Sequence, residues 1–101
     1  MPKFLIEVPH PAETRACARV VQVFLSSGSH YLTNAEWGCG DGVHKSWMIV
    51  DVDDKAAAKA IVPPAFRADA TIIKLNRFKL ERIEAILASH STPGSEGKSG
   101  G

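Results

Sequence analysis

The chain has 101 residues, 45% of them hydrophobic, and its 12 basic and 11 acidic side chains leave a net charge of +1. A chain of this size folds around one core and buries roughly 60 to 65% of its unfolded surface, which leaves little room for a deep internal cavity. Interspersed charge excludes the basic footprint that phosphate neutralisation demands. No apolar run approaches the roughly 18 residues of a membrane span, so a cytoplasmic protein with neither nucleic-acid nor membrane partners is expected.

In chain order, Lys3 to Val8 is apolar on both parities and is stopped by Pro9, the pattern of a central strand covered on both faces. Glu7 is its one charged interior residue. Pro11 and Glu13 suit the opening of a helix in which Cys17, Val20, Val21, Phe24 and Leu25 form the apolar stripe, with Gly28 placed to end it. Cys17 is assigned to the core, because a free cysteine behaves as a small buried hydrophobe. His30 to Trp37 and Val43 to Val52 are rich in aromatic and β-branched residues and read as two hairpin strands around Gly38-Cys39-Gly40-Asp41-Gly42. A strand and not a helix follows these glycines, which argues against a phosphate loop. Asp53 and Asp54 can cap a short helix through Ala56 to Ile61 that Pro63-Pro64 terminates. Thr71 to Leu75 gives a fourth strand, and Leu80, Ile83, Ile86 and Leu87 mark a last amphipathic helix. Residues 1–90 are thus expected to form one domain, and 91–101, with no apolar side chain to bury, a disordered tail.

This order predicts an α+β domain of the ferredoxin-like β-α-β-β-α-β kind, a four-stranded antiparallel sheet in the order 4-1-3-2 with both crossover helices on one face. Leu5, Trp47 and Ile49 share the opposite parity, and an apolar face of that kind calls for a cover; a homodimer or higher homo-oligomer is expected. The same layout carries His10, Cys39, Asp41, His44, Arg67 and Asp69 to one edge of the sheet, while His30 and Asp53 belong to the other. Imidazole and thiolate together suit Zn²⁺, Ni²⁺ or copper. His10, Cys39 and His44 are therefore candidate metal ligands, with Asp41 or Asp69 as a fourth ligand or an orienting partner. The alternative is ordinary structure: His10 caps a helix, Asp41 serves the turn, and His44 is a solvated strand end.

Glu7 supports a second chemistry. Desolvation in a central strand would raise its pKa towards the range of a general base, acting on a small hydrophobic substrate bound by Trp47 and Lys45. Its alternative is an ion pair with Lys45 or Lys74. Tyr31, Trp37, Trp47, Phe66 and Phe78 are read as core or subunit-contact residues.

The MPKFLIEVPH opening, the segment HYLTNAEWGCGDGVHKSWMIVDVD and the later IVPPAFRADATIIKLNRF resemble a family of short bacterial proteins of unknown function over residues 1–88. That resemblance implies a ferredoxin-like, dimeric α/β-barrel fold, related to muconolactone isomerases, cofactor-independent monooxygenases and small nickel-binding proteins. None of their catalytic motifs maps onto this chain, so fold leaves the activity open. Three functions stand: transition-metal binding at the sheet edge, a cofactor-independent isomerase or monooxygenase at the open face, and a structural or partner-binding module.

Overall fold

The computed structural model describes residues 1–89; the expected tail, 91–101, lies outside them. The elements run β1 (Lys3–Pro9), α1 (Thr14–Ser26), α2 (His30–Thr33), β2 (Glu36–Trp37), β3 (Lys45–Asp51), α3 (Lys55–Ile61), β4 (Thr71–Leu75) and α4 (Leu80–Ser89), with 3₁₀ turns at Cys39–Asp41 and Pro64–Asp69. The fold is α+β: the strands form one antiparallel sheet in the order β2-β3-β1-β4.

β1 lies between β3 and β4, and its register sets Phe4 opposite Val50, Ile6 opposite both Met48 and Ile72, and Val8 opposite Ser46. These residues share one face, where Phe4, Ile6, Val8, Met48 and Val50 join Val20 and Phe24 of α1, Leu32 of α2, Ala58 of α3 and Val62 in the core. Side chains alternate across a strand, so Lys3, Leu5, Glu7, Lys45, Trp47 and Ile49 point the other way. The expectation that β1 is covered on both faces therefore fails within the single chain: Leu5 and Glu7 are half-buried and Ile49 is 55% exposed.

The helix starts are chemically explicit. Glu13 caps α1, its carboxylate accepting from the backbone N–H groups of Arg15 and Ala16, and Asp54 caps α3 by accepting from Ala57 N–H at 2.8 Å. Gly28 adopts φ 81° just past the end of α1, the left-handed conformation glycine adopts without a Cβ penalty. The segment from His30 departs from the expected strand: Ser29 caps a single helical turn by accepting from Leu32 N–H at 3.3 Å. Leu32 is thereby seated in the core, and β2 is reduced to Glu36–Trp37. Local capping and one core anchor override the strand propensity of the aromatic residues here.

Candidate metal centre

Pairing of β1 with β3 continues one step past the strands, where His10 N–H donates to the His44 carbonyl at 3.0 Å. Residues 8 and 10, like 46 and 44, share a parity, so both imidazoles extend the helix-covered face on which Val8 and Ser46 lie. His10 is 8% exposed, and its ring meets His44 edge-on at 5.8 Å and Trp37 at 5.7 Å between centroids. The 3₁₀ turn then brings Cys39 over this pair, with His10 Nε2 and Cys39 Sγ 3.1 Å apart. One donor atom from each of His10, Cys39 and His44 lies within 4.8 Å of the other two.

The turn is held by a close backbone approach. Gly38 N–H donates to the Lys45 carbonyl, while the Gly38 carbonyl accepts from Asp41 and Val43 N–H groups. A Cβ on Gly38 would meet the Val43 carbonyl oxygen at 2.7 Å and the Trp47 ring at 2.9 Å. Gly42 closes the turn at φ 80°, again the left-handed region that favours glycine. The glycines thus fold a turn that presents a thiol to two histidines.

The electrostatics suit a cation. Burial, reinforced by the neighbouring His44, holds the His10 pKa below the ordinary imidazole value, which favours the neutral form that coordinates metal. His10 Nδ1, His44 Nδ1 and Ser46 Oγ are buried with no hydrogen-bond partner among the described residues. Each such atom carries a desolvation cost of about 1 to 3 kcal/mol while it stays unpaired.

Not every expected residue is there. Asp41 is exposed in the turn and stands outside the donor group, as does Asp69. Arg67 is spent on structure, donating to the Val62 and Ala60 carbonyls at 2.9 and 3.1 Å. One residue was misassigned from sequence: Cys17 is half-buried outside the core, with its Sγ 3.4 Å from Cys39 Sγ. The signal was available, because a helix that begins a few residues after β1 starts at the same edge as His10. Donation to the Cys39 sulfur, then burial, pushes the Cys17 thiol above its ordinary pKa.

Of the two readings of Glu7, the structure shows the ion pair with Lys45 and not a carboxyl of raised pKa. Trp47 Nε1–H donates to Glu7 Oε1 at 3.0 Å and Lys45 Nζ lies 3.2 Å from Oε2. These two partners outweigh burial, and the carboxyl is held below the ordinary carboxylate range instead of above it, an anion of reduced basicity. Trp47 lines an open pocket of about 300 Å³ with Leu5, Asn34, Glu36, Met48 and Ile49, and neither Glu7 nor Lys45 is among the lining residues. Because the folded-state pKa is depressed, the stability that Glu7 contributes is present above its unfolded value, near 4.5, and is lost as pH falls through the folded value. Glu7→Gln is expected to flatten that part of the acid limb in urea titrations at pH 3 to 6; an unchanged limb would show that the Trp47 and Lys45 contacts contribute nothing.

Comparison of the chain with family models, with curated proteins and with solved structures gives no match. Among the described residues no helix is long and apolar enough to cross a membrane.

Proposed function

We propose that this protein binds a transition-metal ion, zinc, nickel or copper, at the sheet edge through His10, Cys39 and His44. The observation that carries the reading is the convergence of three donors from three chain segments within 4.8 Å, two of them on rings with a buried, unpaired nitrogen. Metal–sulfur bonds of about 2.3 Å and metal–nitrogen bonds of about 2.0 to 2.1 Å allow donors at this spacing to share one ion after small rotations. Elemental analysis and calorimetric titration with Zn²⁺, Ni²⁺ and Cu²⁺ test it. Wild type is expected to take up one equivalent, and His10→Ala, Cys39→Ser and His44→Ala each to bind at least about 100-fold more weakly, beyond the 10- to 100-fold that outer-shell losses cost. Wild type that binds no more tightly than an isolated surface histidine would end the reading.

The finer fold assignment, ferredoxin-like with order 4-1-3-2, is part of the same proposal. It is supported by the pairing of β1 with both β3 and β4 and by the sheet order, which counted from the opposite edge is β4-β1-β3-β2. A cofactor-independent enzyme at the open face receives less support, since Glu7 is ionised and paired.

A specific observation favours self-association beside metal binding. The open sheet face presents Leu5, Ile49 and Ile73, and α4 buries none of its residues, with Leu80, Ile86 and Leu87 all exposed. Two such surfaces on one small domain are covered economically by a second copy. Sedimentation at micromolar concentration is expected to report a dimer or larger, and Ile49→Asp with Ile73→Asp a monomer. A wild-type monomer would refute it.

A further inference from the structure

The donor group leaves one nucleophilic atom at its border unaccounted for. Cys17 is fixed in the first turn of α1, where its N–H donates to the Glu13 carbonyl at 2.9 Å and the Glu13 carboxylate closes the cap. Its Sγ stands 3.4 Å from Cys39 Sγ, and both cysteines are free thiols. A tetrahedral ion with bonds of about 2.3 Å to sulfur and 2.0 to 2.1 Å to nitrogen separates its donors by about 3.3 to 3.8 Å. The Cys17–Cys39 separation of 3.4 Å and the His10–Cys39 separation of 3.1 Å are both close to edges of that tetrahedron. Cys17 stands outside the group of three donors that meet within 4.8 Å, and its approach to an ion would come from rotation about its own side chain, a step between staggered rotamers moving a cysteine sulfur by about 3 Å.

From this geometry we propose that Cys17 is the fourth ligand, making the edge a closed two-thiolate, two-imidazole centre for zinc or cuprous ion. The inference rests on the metal-binding reading above and specifies it. Two thiolates favour soft or borderline ions, and a tetrahedral donor set suits zinc and cuprous copper over the square-planar demand of nickel(II). Four protein ligands leave no open position for water, the arrangement of structural and storage sites and not of hydrolytic ones. On loading, each thiol gives up its proton as its sulfur bonds to the ion, so two protons leave per ion bound at a pH below both thiol pKa values.

Cobalt(II) substitution of the full chain under reductant tests this. The wild-type complex is expected to show tetrahedral visible bands and a near-ultraviolet thiolate-to-cobalt band that falls by about half in Cys17→Ser, one thiolate of two being lost. In wild type, both of the chain's 2 cysteines should become slow towards a disulfide reagent when zinc is added, a readout that needs no variant to fold. Cobalt binding with unchanged band intensity in Cys17→Ser, or one thiol still fully reactive in the zinc-loaded protein, would overturn the role of Cys17 and leave the three-ligand site standing. A wild type that takes up no cobalt would overturn both.

Discussion

Zinc is expected to raise the melting temperature of the reduced protein by roughly 15 to 30 °C when the free ion is a thousandfold above its Kd, the equivalent of about 4.1 kcal/mol at the ~4 to 8 °C per kcal/mol of a domain this size. The size of the effect follows from where the ligands sit. His10 directly follows the central strand, His44 precedes its neighbour, and Cys39 belongs to the turn joining β2 to β3. An ion shared by the three fastens the start of β3 to the end of β1. The unfolded chain keeps the same side chains but scatters them, so the native state binds preferentially. A chelator should return the melting temperature to its metal-free value, and His44→Ala should abolish most of the shift. An identical melting curve with and without zinc would contradict a site at this edge.

Gly38→Ala is expected to cost about 1 to 3 kcal/mol, the usual penalty of forcing a methyl group into occupied space, and to weaken metal binding as well. The added carbon would sit 2.7 Å from the Val43 carbonyl oxygen and 2.9 Å from two atoms of the Trp47 ring. The backbone contact cannot yield without opening the turn, because Val43 N–H and Asp41 N–H both donate to the Gly38 carbonyl. Opening it carries Cys39 away from His10. Urea denaturation and calorimetric titration of the same variant should therefore move together, whereas Gly40→Ala, with nothing within 4 Å of the added carbon, should change neither appreciably. Retention of wild-type stability by Gly38→Ala would mean that the turn is looser than its contacts imply.

Much of the fold was legible because periodicity and punctuation agreed. Val20 and Phe24 lie on one stripe of α1 and Asp54 before an alanine-rich turn, each in the role its pattern implied, while β1 is the interior strand expected but is buried on the Phe4, Ile6 and Val8 face alone. The edge cluster was legible only through topology: positions 10, 39 and 44 form no spacing motif, and they meet because β1 ends where β3 begins. What escaped was set by single contacts that periodicity does not encode. The Ser29 hydroxyl captured Leu32 N–H and turned an expected strand into a helical turn. The Lys45 ion pair of Glu7 was one of the two readings the sequence allowed, whereas the Trp47 indole, which donates to the same carboxylate and lowers its pKa further, was not foreseen. Cys17 matched the apolar stripe of α1 by spacing, but that stripe runs past the end of the hydrophobic core at the first turn, where Cys39 waits. Asp41 was grouped with the ligands because its neighbours in sequence are there, and the turn instead points it to solvent.

X-ray absorption fine structure of the zinc-loaded protein measures the central claim most directly. The account predicts a first shell containing sulfur at about 2.3 Å and nitrogen at about 2.0 to 2.1 Å, with the outer-shell scattering of imidazole rings and loss of the Cys39 sulfur contribution in Cys39→Ser. A first shell of oxygen and nitrogen alone, unchanged by Cys39→Ser, would place the ion elsewhere and contradict it.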